Sequence, residues 1–253
     1  MDFVLGADGC RLTSSPSGSP TIDAWAAVEL RADGSAHPHV FTSTRELWSF
    51  ATHARLVLLD VPIGLPETGP RACDGLARKL LGPRAASVFP APERWMLACA
   101  TLGEADAEKS RRVGRPAKVQ RQMWNLMPRI RAVDELMLRD ARARDLIAEC
   151  HPELCWRGLN AGAPLSRSKH TPEGLNDRRR LILGAIPEAR EIERTLLESP
   201  GLAPDDALDA LACAWAAAAW LTDSAERRTI PDAPSLDAAG LPMRMLWRER
   251  SPR

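Results

Sequence analysis

Lysine is almost missing from this chain. Of 34 basic residues only Lys79, Lys109, Lys118 and Lys169 are lysines, and the basic excess over acid is a single charge. A net charge of +1 neither requires nor excludes a nucleic-acid partner, so any basic surface must be sought locally. The six cysteines, Cys10, Cys73, Cys99, Cys150, Cys155 and Cys213, include no C-x-x-C pair, which argues against a zinc ribbon or a thioredoxin-type motif and leaves reduced thiols. No stretch reaches the ~20 apolar residues of a membrane span. The chain opens on a strand pattern with no basic and then apolar leader, so a soluble, unexported, cytoplasmic protein without a membrane partner is expected. Fixed-period repeats are absent, as is low complexity beyond a Ser/Pro loop at 13–20.

What the chain does have is strands that stop at aspartates. Its 253 residues suit one large domain, 1–253. A chain of that size buries roughly 70% of its unfolded surface without extra staples. The apolar run Phe3 to Ala7 leads to Asp8-Gly9, and Leu56 to Leu59 leads to Asp60, two residues before Pro62. Between them lie a strand around Ala24–Leu30, an Asp33-Gly34 hairpin turn, a strand near His39–Thr42, and a helix capped by Ser43 or Thr44 that runs to about His53. This β-β-β-α-β order opens a ribonuclease H-like domain, which predicts an α/β fold with a mixed five-stranded sheet flanked by helices. The first and fourth strands should then run parallel as neighbours, ~4.8 Å apart. Asp8 and Asp60 would share the crevice beyond the strand ends.

A mostly helical insertion is expected at about 62–145, with helices at Arg71–Leu81, Glu104–Lys109 and Lys118–Asp140, the last interrupted near Pro128, and with Val88–Pro92 extended. A fifth strand at Leu146–Cys150 should run on into His151-Pro152-Glu153. Helices follow at about 172–184, 187–198 and 205–221, and the tail from Thr229 reads as irregular with a late strand near Met243–Trp247.

The last helix begins Asp205-Asp206-Ala207-Leu208-Asp209. Leu208, Leu211, Ala212 and Trp215 form its core stripe, so Asp209 looks sideways into a cleft with Asp206 one turn earlier on the same flank, while Asp205 after Pro204 suits an N-cap. Carboxylates on rigid strand ends and a packed helix are the ligands that hard divalent ions require. Asp8, Asp60 and Asp209 are therefore candidate ligands for two Mg²⁺ or Mn²⁺ ions, with Asp206 completing the shell, and Asp206 and Glu149 join them as candidate catalytic residues. Glu149 fits either a ligand or a residue that orients one. His151 fits a proton shuttle or a pre-proline turn residue, and a Cys150–His151 dyad is excluded because adjacent strand residues face opposite ways. Ser168-Lys169-His170-Thr171-Pro172 has the chemistry of an anion loop entering a helix, so Lys169 and His170, with Arg71, are candidate substrate-binding residues. A basic run from Lys109 to Arg121 is a second possible nucleic-acid contact, and Trp95, Trp124 and Trp156 read as core.

Eight stretches, in order over nearly the whole chain, carry a resemblance. They are Gly6–Cys10, Leu59–Pro66, Arg71–Asp74 through Leu81–Arg84, Ser87–Pro92, Pro128–Asp134, Glu149–Glu153, Ser168–Gly174 and Pro204–Asp209. The chain resembles the family catalogued as domain of unknown function 429 (DUF429), predicted ribonuclease H-like nucleases. The D-x-x-D helix is also similar to that of the Holliday-junction resolvase branch of the ribonuclease H superfamily. The resemblance implies metal-dependent hydrolysis of nucleic acid at Asp8, Asp60, Asp206 and Asp209. The chain departs from the family after Cys10, where Leu12 to Asp23 intervene before Trp25. Two other classes stay open: an ATP-binding kinase or ATPase of the actin-like superfamily, against which stands the lack of any Gly-Gly pair, and a non-catalytic nucleic-acid or protein binding module whose acids serve only as caps.

Overall fold

The computed structural model describes residues 2–13, 21–222 and 225–250, so the Ser/Pro loop lies almost wholly outside the described residues. Chain order is β1 (Phe3–Thr13), β2 (Thr21–Arg31), β3 (Ala36–Phe41), α1 (Thr44–Ala51) and β4 (Val57–Leu59). The segment between β4 and the next strand of the sheet holds α2 (Ala72–Leu81), α3 (Leu102–Val113), α4 (Arg121–Trp124), α5 (Met127–Arg139) and α6 (Ala141–Leu146), with 3-10 turns at Gly82–Ser87 and Arg94–Ala98. Then come β5 (Ile147–Glu149), α7 (Pro152–Leu159), α8 (Pro172–Leu183), α9 (Ala189–Leu196), α10 (Pro204–Ala217) and a hairpin of β6 (Arg227–Ile230) and β7 (Met245–Arg248).

The main sheet has the order β3-β2-β1-β4-β5, with β2 antiparallel to β1 and β3, and β4 parallel to both β1 and β5. This is the expected mixed α/β sheet. Ser43 caps α1 through the Glu46 amide, and Gly34 supplies the left-handed residue of the β2–β3 turn at φ 88°. Among the described residues no helix is long and apolar enough to cross a membrane.

Strand alternation decides what each face meets. On β1, Val4 and Cys10 join the cluster built with α7, α8, α9 and α10, whereas Leu5 and Ala7 join the one built with α1 and α5. On β4, Leu58 faces the first cluster and Val57 and Leu59 the second. The same period turns Asp8 and Asp60 toward α10. Gly6 lies on that face too, where a Cβ would stand 1.9 Å from the Ala214 backbone nitrogen, so a residue without a side chain is what lets α10 approach β1 so closely.

Three expectations change. β1 does not stop at Gly9: the β2 ladder carries on through Gly9↔Trp25 to Thr13↔Thr21, so tertiary pairing overrides the turn habit of Asp-Gly. β5 does not run into Glu153, because Pro152 opens α7 and His151 is its cap. The tail contains a paired strand, β6, where irregular chain was expected at Thr229.

Candidate active site

β1 and β4 are in register through Gly6↔Leu58 and Ala7↔Leu59, and the Asp60 amide donates to the Ala7 carbonyl at 3.1 Å. β4 ends there while β1 continues, so Asp8 and Asp60 stand side by side where the parallel pairing opens. Asp8 is 5% exposed, and its Oδ1 accepts the Gly9 amide at 2.9 Å. Asp206 and Asp209 on α10 complete the wall of one cavity of about 460 Å³, which Asp8, Asp60 and Lys169 also line. Four aspartates from three separate elements thus line one cavity. Asp205 is not the cap: Ala203 occupies that place without a side-chain hydrogen bond, and Asp205 lies in the first turn.

Lys169 dominates the electrostatics of the cluster. Its ammonium donates to Asp209 Oδ2 at 2.6 Å and lies 3.4 Å from Asp205 Oδ2. Burial alone would disfavour its charge, but Asp209, Asp8 and Asp205 outweigh burial and hold its pKa above the usual lysine range. The Ser168–Gly174 loop is fixed for this purpose. Thr171 caps α8 through the Gly174 amide and hydrogen-bonds to the Ser168 carbonyl, and a Cβ on Gly174 would sit 1.9 Å from that carbonyl oxygen. Lys169 thus serves carboxylates in this structure rather than a helix-terminus anion site. His170 is exposed and approaches Asp205 at 3.7 Å.

Asp209 is 1% exposed, and both its oxygens are engaged, Oδ1 by the Trp156 indole N–H at 2.6 Å and Oδ2 by Lys169. Engaged on both oxygens, it positions the lysine, and Asp8, Asp60 and Asp206 are the acids less committed to protein partners. Burial is the largest cause raising the pKa of each of these three. Asp8 is pushed well above the carboxylate range, further raised by Asp60, Asp206 and Asp209. Asp60 is raised despite His151, Lys169 and a hydrogen bond with Asp8, and Asp206 reaches about 7 with Asp205 adding to burial. Crowded, desolvated oxygen donors of this kind fit a hard divalent cation. The fit is to fewer ions than a two-metal centre holds, because Lys169 already neutralises one side of the cluster. Among the described residues, the trio of candidate ligand atoms that lies within 4.8 Å of one another is formed by cysteines, not by these acids.

Glu149 and Arg71 line the cavity but are committed to each other. Arg71 donates through Nη1 to Glu149 Oε2 at 2.6 Å and through Nη2 to Glu149 Oε1 at 2.8 Å, with further bonds to Asp74 and the Ile63 carbonyl. Glu149 also accepts the Ile63 amide at 2.7 Å. With its side chain 1% exposed, Arg71 has no free edge for a substrate, and this pair fixes the cavity wall instead. His151 fills the turn role: Nδ1 accepts the Glu153 amide as the α7 cap, and Nε2 lies 3.3 Å from the Ser87 carbonyl.

A family model described as "Protein of unknown function (DUF429)" matches residues 19–235. The chain belongs to the DUF429 family. No curated protein and no solved structure matches it. Within this DUF429 chain the matched span holds Asp60, Lys169, Asp206 and Asp209, while Asp8 precedes it.

Two cavity residues of this DUF429 member escaped the sequence reading as site candidates, Arg129 and Arg84. Arg129 packs its guanidinium against Gly9, where a Cβ would lie 2.8 Å away, and donates to the Cys10 carbonyl and to Asp23. Arg84 donates to Glu153 at 3.1 Å. Each keeps a buried Nε without a partner. The available signal was Arg129 beside Ile130 and Val133, an arginine on the apolar stripe of a helix.

These shifts set a pH dependence. An acid with a folded pKa above its unfolded value takes up protons on folding, so stability falls as pH rises from the ordinary carboxylate range toward the folded pKa. For Asp206 the window runs from 3.8 to about 7. Lys169, whose folded pKa is also raised, loses stability in the same direction but only above the ordinary lysine pKa of 10.5, so its contribution is constant across that window. In chelator, the protein is expected to lose on the order of 2–4 kcal/mol between pH 5 and 8, read as a falling melting temperature, and Mn²⁺ is expected to restore it at pH 8. A flat profile in chelator excludes the crowded-acid description.

Proposed function

We propose that this chain is a divalent-cation-dependent phosphodiesterase acting on nucleic acid, with one ion held by Asp8, Asp60 and Asp206 and Lys169 serving as a fixed second positive charge. The observation that carries the reading is the convergence of a buried aspartate from β1 and two half-buried ones from β4 and α10, all charge-frustrated, on one cavity beside an ammonium held by Asp209. When bound, Mg²⁺ or Mn²⁺ supplies a water acidified toward neutrality and charge for the leaving oxygen. The chain supplies the rest. Lys169 holds positive charge where negative charge builds on phosphoryl oxygens, and Asp209 with Trp156 fixes its position. Arg129 and Arg84 line the same cavity and add positive charge suited to phosphate oxygens.

A cavity of about 460 Å³ is of small-ligand size. It favours a single strand or a strand end over an intact duplex. Free thiols at all six cysteines suit the cytoplasm as its setting. The kinase reading gains no support, because β1 continues as paired strand past Asp8 and forms no tight phosphate hairpin there. Nor do the α10 acids act as its cap, so the capping account of a binding module leaves their convergence unexplained.

The test is calorimetric Mn²⁺ titration together with cleavage of end-labelled single-stranded DNA and RNA. Wild type is expected to bind one equivalent and cleave. Lys169→Met is expected to bind Mn²⁺ more tightly or take a second equivalent, with cleavage reduced ~10²-fold. Wild type that neither binds Mn²⁺ nor cleaves either strand removes the proposal.

A further inference from the structure

Beneath the acids lies a second cluster of a different chemistry. Cys150 follows β5, Cys155 sits in α7 and Cys213 in α10, and all three are at most 1% exposed. Their sulfurs lie within 4.8 Å of one another, with Cys150 and Cys213 in a thiol–thiol contact of 3.2 Å. Thiols are weak donors and weak acceptors, so three of them brought together from three elements gain little from one another as hydrogen-bonding groups. An ion at ~2.3 Å from three sulfurs in one plane requires them ~4.0 Å apart. One separation, 3.2 Å, is shorter than that value and none exceeds 4.8 Å, so small side-chain rotations suffice.

The geometry points to a closed three-thiolate site for a soft, closed-shell cation, Cu(I) in the first place, formed by Cys150, Cys155 and Cys213. Softness selects the ion, since thiolates favour Cu(I) and Zn²⁺ over the hard ions that suit Asp8 and Asp60. Coordination number then separates those two. Structural zinc takes four protein ligands, and among the described residues no histidine, carboxylate or fourth cysteine joins the three. Cu(I) is satisfied by three sulfurs. Binding involves no electron transfer: Cu(I) replaces the thiol protons, which leave to solvent. Glu149 and His151, which flank Cys150, both line the acid cavity, so one residue in the chain separates the cluster from that cavity's wall.

The two sites are independent in ligands, so either stands without the other. The experiment uses the full chain, reduced and anaerobic, titrated with Cu(I) against a chromophoric Cu(I) chelator. Wild type and Cys99→Ala are each expected to withhold one equivalent from the chelator and to show an ultraviolet thiolate-to-copper band. Cys155→Ala is expected to weaken binding at least tenfold. X-ray absorption on loaded wild type should report three sulfur neighbours, a measurement that stands even where a core variant fails to fold. Surrender of all copper by wild type, loss of the equivalent in Cys99→Ala, or a copper shell built of nitrogen and oxygen overturns the assignment.

Discussion

Asp60→Asn is expected to lower divalent-dependent cleavage by more than ~10²-fold and, at the same time, to raise the melting temperature of the metal-free protein. Outer-shell partners of a bound metal typically cost 10–100-fold when removed, so a direct ligand should cost more. The stabilisation has a separate origin. Asp60 is raised by burial and stands beside Asp8, itself raised by burial and by Asp60, so ionising both in the empty cluster is unfavourable. The amide is nearly isosteric and carries no charge, which relieves that repulsion at neutral pH, the usual relation between a strained site and stability. Opposite signs make the result diagnostic: a variant that is more stable yet inactive has not lost activity by unfolding. Cleavage by Asp60→Asn at the wild-type rate in Mn²⁺ would falsify the metal assignment, and an unchanged melting temperature in chelator would remove the account of a crowded acid pair.

How much of this was legible beforehand depended on the range of the interaction. The apolar runs before Asp8 and Asp60 carry a local period, and the β-β-β-α-β order fixes which strands neighbour, so the meeting of those two acids followed from sequence. The face they occupy follows from the same alternation once α10 is known to cover it. The partners were not legible. Glu149 and Arg71 are 78 positions apart, and nothing local says that the acid at the end of β5 is consumed by a buried guanidinium. Asp209 was readable as a cleft-facing acid but not as a residue whose oxygens are both taken, because Trp156 and Lys169 reach it from 53 and 40 positions away. The cysteines show the same limit: C-x-x-C is a local motif, whereas Cys150, Cys155 and Cys213 converge only through the packing of α7 and α10 against the sheet.

Glu149→Gln is expected to destabilise the fold by about 2–3 kcal/mol, the cost of taking from a buried charge one of its two carboxylate partners. Arg71 has a side chain 1% exposed and receives charge compensation from Asp74 and from Glu149, which takes two of its N–H groups. The amide can keep the Ile63 contact but replaces one acceptor with a donor facing a guanidinium. Stability of a domain is commonly only 5–15 kcal/mol, so the midpoint of urea unfolding should fall markedly, at unchanged slope if the denatured state is unaffected. Replacing both partners, as in Arg71→Met with Glu149→Leu, removes both charges and should recover part of the loss, with Asp74 then the remaining unpaired acid. The measurement separates two meanings of an acid at the end of a strand. If Glu149→Gln keeps wild-type stability and loses only metal binding or cleavage, Glu149 acts on the reaction, and the view of it as a brace for the cavity wall fails.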